Sequence, residues 1–269
     1  MPDFYPSSSP APLDQADGLR RLFGGRRRAV LPLVADPHVG FGGVVLDRLA
    51  QALAAQGRNV LVVDAATGSP PPAELAAVDL ALCIETLAPR VAYLAAGGLT
   101  SAYVDTRGCA DALIDAVQRA HPAADVVLLH ADASDLARIL KRRAARPVLL
   151  GADHPDSIKH AYAGAKLLAT RCGLFTFDLL LAMPARSPRA TAIVQSLAGC
   201  AETFLGALLV HHARIDPAGN TAAHGPGADD ELARLLAAQL ALDEGGFVPL
   251  AANPPIPSAA GARHAAGQC

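Results

Sequence analysis

Along most of this chain, short unbroken apolar runs alternate with stretches in which apolar positions recur every three or four residues. The first kind marks a strand buried on both faces, the second an amphipathic helix. Ala29–Val34 reads as a buried strand, Val44–Gln56 as a helix, and Asn59–Val63 as a second strand running into Asp64. Further strand-like runs follow at Leu80–Ile84, Val91–Leu94, Asp125–His130, Pro147–Gly151, Thr176–Ala182 and Leu208–Ile215. Helical patterns lie between and after them at Ala110–Ala120, Ser134–Ala144, Ser157–Arg171, Pro188–Leu205 and Asp229–Asp243. Strands spaced by helices predict an α/β fold with three layers: a mostly parallel sheet, helices on both faces, and right-handed βαβ connections. Ligands in such sheets bind at the carboxyl ends of the strands, so the loops that follow strands are where chemistry is sought.

The ends of the chain follow a different pattern. Residues 1–12 contain Pro6-Ser7-Ser8-Ser9-Pro10-Ala11-Pro12, too poor in apolar surface to offset the entropy of ordering, and are expected to be a disordered leader. Residues 13–25 predict a short helix that precedes the domain. Asp14 suits the N-cap, Asp17 suits the positive end of the helix dipole, and Gly24-Gly25 supply a stop. Ala16, Leu19, Leu22 and Phe23 share one face, which fits either a helix presented to another protein or one packed on its own domain. The domain proper is expected to span 26–251, with 252–269 a second disordered tail that begins near Pro254-Pro255-Ile256-Pro257.

Composition narrows the classes. A chain of 269 residues that is 52% hydrophobic can bury a full core. A net charge of −2 without a polybasic stripe argues against nucleic acid as the main partner. Five scattered cysteines without metal-type spacing fit reduced thiols in the cytoplasm, and no segment has the uninterrupted apolar length of a membrane span.

The turn after the first strand carries the decisive chemistry. A phosphate-binding loop at this place needs glycines whose backbone N–H groups wrap the phosphates, a lysine to neutralise charge, and a Ser or Thr hydroxyl for magnesium. Here the turn is Val34-Ala35-Asp36-Pro37-His38-Val39-Gly40-Phe41-Gly42-Gly43, and from Ala29 to Asp47 there is no Lys, Arg, Ser or Thr. The chain's three lysines are Lys141, Lys159 and Lys166, so no shift of register supplies one. Asp36 places negative charge where polyphosphate would lie. His38 and His130 read as packed or solvated polar residues, since nothing at ligand spacing accompanies them in sequence, and no metal site is assigned.

Several segments, taken in order, resemble the FlhG (FleN) family, MinD/ParA-like proteins with a P-loop NTPase fold that regulate bacterial flagellum number and placement. Asp14-Gln15-Ala16-Asp17-Gly18-Leu19-Arg20 matches the family's DQAxxLR activator motif at every fixed position. Arg48 to Asp64 resembles the helix and strand after the family's deviant Walker A loop, Asp125–His130 its Walker B strand, and Pro147–Tyr162 a strand-turn-helix carrying a P-x-S/T-x-x-x-A-Y type pattern. Ala213–Asp216 is similar to the last strand, with Asp216 in place of a usual proline. The departures are equally consistent. Pro37 or His38 stands near the first family lysine, Phe41 or Gly42 at the second, and Gly43 near the Thr. Asp64 is kept, Ala66 replaces the carboxylate that positions water, and His130 stands at the Walker B aspartate.

The resemblance implies a regulator whose motif Asp14, Gln15, Ala16, Leu19 and Arg20 stimulates GTP hydrolysis by a signal-recognition-particle-type GTPase of the FlhF kind. Gln15 would order the partner's catalytic centre, Asp14 and Arg20 would fix docking, and Ala16 and Leu19 would supply apolar contact. The chain's own nucleotide site, formed by Gly40, Gly42, Gly43, Asp64 and His130, reads as degenerate, with no catalytic residue in cis. No cofactor is then expected, and ATP with Mg²⁺ only if that site still functions. The family also implies contacts with flagellar switch-complex proteins or a flagellar transcription regulator, a possible homodimer, and a cytoplasmic protein held at the pole or inner membrane through partners. The C-terminal helix of the family binds membranes. Here Asp229–Asp243 carries Leu232, Leu235, Leu236 and Leu240 on one face but an acidic polar face with one Arg234, which suits a helix packed on protein and at most weak membrane contact. Two alternatives stay open beside the regulator: an active ATP-dependent switch of the MinD/ParA type, and a DNA-associated partition ATPase, which the acidic balance disfavours.

Overall fold

The continuous apolar runs become the central strands of one eight-stranded sheet. The computed structural model describes residues 28–77, 79–141, 143–184, 187–219 and 226–244. The strands are β1 (Ala29–Val34), β2 (Val60–Asp64), β3 (Ile84–Ala88), β4 (Val91–Ala95), β5 (Val126–Ala131), β6 (Val148–Ala152), β7 (Thr176–Ala182) and β8 (Leu208–Ile215). Their order is β3-β4-β2-β5-β1-β6-β7-β8, and every neighbouring pair is parallel except β3 with β4. The helices are α1 (Gly42–Ala55), α2 (Ala112–Ala120), α3 (Ala133–Ile139), α4 (Pro155–Cys172), α5 (Ala190–Leu205) and α6 (Pro226–Glu244).

Alternate residues of each strand feed two separate cores. Leu61, Val63, Val127 and Leu129 face α2, α3, α4 and α5 through Leu113, Leu136, Leu168 and Leu197. Val60, Val62, Val126 and Leu128 face α1 and α6 through Leu46, Leu49, Leu53, Leu235 and Leu236. The three-layer, mostly parallel architecture expected from the pattern is therefore present. At about 25 cal/mol per Å² of apolar surface, each fully buried leucine contributes roughly 1.5–3 kcal/mol, so both layers are needed to hold the sheet.

Two local expectations are corrected. Leu80–Ile84 is not a strand: Leu80–Cys83 forms a 3₁₀ turn because Asp79 caps it, its Oδ1 accepting from the Ala81 N–H at 2.9 Å. The strand starts at Ile84 and turns back against β4 as a short edge whose middle residues, Glu85 among them, are exposed. The helix expected over Ser134–Ala144 ends at Ile139, since Leu140 is buried and Arg143 turns to reach Asp115 at 2.8 Å. The activator helix at 13–25, the leader 1–12 and the tail 252–269 lie outside the described residues.

The C-terminal helix α6 is integral to the domain. Leu235, Leu236 and Leu240 are buried against the sheet, Glu231 forms a two-point ion pair with Arg214 on β8 (2.9 and 3.0 Å), and Gln239 is buried. Gln239 Nε2 donates to Asp178 on β7 at 2.7 Å and to the Arg146 carbonyl at 2.9 Å. Asp178 also accepts from Arg146 Nε (2.9 Å) and from the His211 backbone N–H (2.9 Å). This knot lies at the amino-terminal end of the sheet, away from the loops that follow the strands. Among the described residues, no helix is long and apolar enough to cross a membrane.

Candidate functional site

Strand order reverses at β1: β5 and β2 lie on one side of it, β6 and β7 on the other. The crevice at the carboxyl end of β1 is therefore the place where a sheet of this kind takes a ligand. Three loops meet there, after β1, after β5 and after β6.

The loop after β1 is shaped from within by Asp36. Its residue is 7% exposed, its Oδ1 accepts from the His38 N–H at 2.8 Å, and its Oδ2 accepts from the hydroxyl of Ser157. Ser157, fully buried, accepts in turn from the Ala152 N–H at 2.7 Å. The carboxylate expected to repel phosphate thus also ties the loop to the start of α4. Phe41 ends the loop at φ 58°, a left-handed conformation uncommon for a phenylalanine, and its ring is 75% exposed. A Cβ at Gly40, Gly42 or Gly43 would meet nothing within 4 Å, so these glycines border open space. Arg48, on the second turn of α1, donates to the carbonyls of Asp216 and Gly219. Lys159 and Arg189, on segments that begin at this end, pair with Asp156 and Asp153 at 2.9 and 3.4 Å.

The second cluster follows from strand register. Asp64 pairs with His130 across β2 and β5, which sets both side chains on the same face, and His130 Nδ1 meets Asp64 Oδ1 at 2.7 Å. Ser69 also donates to Oδ1, and the Tyr93 hydroxyl to Oδ2 at 3.2 Å. Burial pushes the Asp64 carboxyl up, but the hydrogen bonds of His130 and Ser69, with the charge of His130, overcome this and hold it below 3.8. Tyr93 is pushed up to about 12 by burial first, and then by the charge and hydrogen bond of Asp64. One step further, Asp132 accepts from the N–H of Thr67 (2.8 Å) and from its hydroxyl, pinning the loop after β2.

A third grouping was invisible to the spacing of residues. His160 sits one turn after Ser157 on α4, on the face that Ser157 turns towards Asp36. The ligand atoms of Asp36, His38 and His160 lie within 4.8 Å of one another. The His38 ring stacks on His154, with centroids 5.9 Å apart and planes at 18°, and meets His160 edge-on at 6.1 Å. Sequence reasoning placed Gly40, Gly42, Gly43, Asp64 and His130 in the site, and all lie on its loops or strand ends. It missed Ser69, Tyr93 and Asp132, which no motif marks, and it gave no site role to Ser157, the hydroxyl residue of the Pro155–Tyr162 pattern, or to His160 within it.

No protein-family model matches the chain, and no curated protein matches it in sequence. Solved structures do match in shape. A putative plasmid partition protein from Borrelia burgdorferi, solved bound to AMPPNP, superposes with a TM-score of 0.53 at 9% identity, over 81% of this chain and 99% of that one. Cobyrinic acid a,c-diamide synthase from Mycobacterium smegmatis, solved with an ATP analogue and magnesium, gives 0.52 at 18% identity, over 78% and 94%. The MinD cell division protein of Aquifex aeolicus gives 0.49 at 13% identity, over 82% and 99%. The three-layer α/β fold is shared with the plasmid partition protein and the diamide synthase. At these identities the likeness establishes architecture alone, and the residues in the crevice decide the chemistry. They do not suit a magnesium-bound triphosphate, because the loop after β1 offers backbone N–H groups and no side-chain cation or hydroxyl. The strand-end carboxylate Asp64 already has three protein partners, His130, Ser69 and Tyr93.

Proposed function

We propose that this chain is a regulator of flagellum number, placement and assembly that uses a MinD/ParA-type domain as a scaffold. In this reading it stimulates a signal-recognition-particle-type GTPase of the FlhF kind through Asp14–Arg20, without hydrolysing ATP itself. The observation that carries the reading is the occupation of the crevice by internal bonds. Asp36 is bonded to Ser157, Asp64 to His130, and no Lys or Arg stands on the loop after β1. In phosphoryl transfer most of the rate comes from positioned positive charge, so a site without it is expected to be silent. The activity would then reside in Gln15, set against the partner's catalytic centre by Asp14 and Arg20, with Ala16 and Leu19 in apolar contact.

The test has two arms. GTP turnover by a purified GTPase of the FlhF kind should rise on addition of the full chain, and the rise should fall at least tenfold with Gln15→Ala. ATP turnover by the purified chain should stay at background. Unchanged GTP turnover removes the activator reading, and magnesium-dependent ATP hydrolysis removes the inactive-site reading. One observation favours a nucleotide-binding switch instead: the open space over Gly40, Gly42 and Gly43. Calorimetric titration with AMPPNP, the ligand seen in the Borrelia burgdorferi protein, separates the two. Dimerisation and contacts with flagellar switch-complex proteins or a transcription regulator belong to the same proposal, with attachment at the pole through those partners.

A further inference from the structure

We propose that Asp36, His38 and His160 form a binding site for a divalent transition metal ion of the zinc class. Two imidazoles and one carboxylate are the donor set such ions favour, and three protein ligands leave a position open for water or an anionic group. Their ligand atoms already lie within 4.8 Å of one another, whereas ligands bonded at about 2.1 Å around one ion sit about 3.4 Å apart. Closing that gap takes side-chain movements of about 1 Å, and His38 stands exposed on a loop where such movement is cheap.

Asp36 is prepared for the role. A carboxylate has about four lone-pair directions, and here one is used by the His38 N–H and one by Ser157, so acceptor capacity remains on the buried group. Ser157 thereby orients the ligand from behind, as outer-shell partners do in metal sites. His160 is held by a helix, one turn from Ser157, and the stacking of His38 on His154 keeps the His38 ring beside it. The site spans the loop after β1 and the helix after β6, the two segments that flank the crevice. An ion there would clasp the loop to α4 and supply the positive charge that residues 29–47 lack.

The test is direct binding to the full chain, freed of any affinity tag. Titration with Co²⁺, read by its visible absorption, and with Zn²⁺, read by calorimetry, should show saturable binding of one ion per chain. His38→Ala and His160→Ala should each weaken binding at least tenfold, while His212→Ala should leave it unchanged. Thermal unfolding of each variant without metal checks that the fold survives, and with Zn²⁺ only the parent and His212→Ala should gain stability. The proposal is overturned if no saturable binding is found up to about 100 μM ion, a range in which linkage would already be visible as stabilisation. Retention of binding in both His38→Ala and His160→Ala overturns it equally. Neither result bears on GTPase stimulation, so the two proposals fail separately.

Discussion

Replacing Asp178 by alanine tests whether α6 is part of the domain or a detachable appendage. Asp178 is completely buried and accepts from Arg146 Nε at 2.9 Å, from the His211 N–H at 2.9 Å and from Gln239 Nε2 at 2.7 Å. The alanine variant leaves the Arg146 guanidinium, whose side chain is only 10% exposed, without its counter-ion, and strips Gln239 of one acceptor. Among the described residues, Arg146 Nη2 is already buried without a partner, so nothing nearby takes up the loss. Breaking a buried ion pair from one side costs about 3–5 kcal/mol. With a urea m-value of about 2–3 kcal/mol/M for a domain of this size, the unfolding midpoint should fall by about 1–2.5 M. In a double-mutant cycle, Arg146→Ala combined with Asp178→Ala should cost less than the sum of the two by about 2–3 kcal/mol, because the second change removes a charge already stranded. Urea unfolding followed by circular dichroism measures both. A loss below about 1 kcal/mol for Asp178→Ala, or strict additivity, would refute the claim that this knot fastens β7, β8 and α6 together.

Two further outcomes follow from the strand-end cluster and the loop beside it. Tyr93 should ionise near pH 12, and Asp64→Asn should bring it back towards 10 in an ultraviolet titration. Because its folded value is raised, Tyr93 contributes stability that is full below pH 10 and lost as pH rises to 12. That contribution is about 1 kcal/mol once solvent screening of a part-exposed ring is allowed for. Asp64 has the opposite sign, its contribution being present above 3.8 and lost as pH falls below it. Titration of Tyr93 at an ordinary value in the parent would sink the cluster. Gly97→Ala should destabilise by about 2–3 kcal/mol, because its Cβ would stand 2.3 Å from the Ser69 carbonyl oxygen and 2.8 Å from that of Pro70. Chemical denaturation reads the cost, and a neutral variant would contradict this close approach of backbones.

The sheet was legible because its central strands are buried on both faces, which forces unbroken apolar runs such as Ala29–Val34, found with the expected bounds, and Val60–Val63. Legibility stops where one face meets water. Ile84–Ala88 has exposed Glu85, Thr86 and Leu87, so the apolar signal shifted to the preceding Leu80–Cys83, which Asp79 bends into a turn. The nucleotide site was half legible. The lack of a cation near Gly40–Gly43 can be read directly, and the family pattern aligned His130 with Asp64, but the bond between them depends on β2–β5 register. The grouping of Asp36 and His38 with His160 was out of reach, since only the pairing of β1 with β6 carries α4 over the loop after β1.

The bonds in the crevice also bear on how such a domain could act. A nucleotide switch needs groups whose contacts differ between ligand states, because a ligand shifts an equilibrium only by its differential affinity for the two forms. In switch proteins those groups are loop residues that gain partners when a terminal phosphate and its metal arrive, and lose them on hydrolysis. Here the corresponding loops have already found partners within the protein. Thr67 is held by Asp132, Ser69 and His130 by Asp64, and the His38 N–H and Ser157 by Asp36. A triphosphate would have to displace these bonds, and the loop after β1 has no side-chain cation to repay their loss. Under the proposed scaffold reading, AMPPNP should therefore leave these bonds in place, and calorimetric titration with AMPPNP tests this directly.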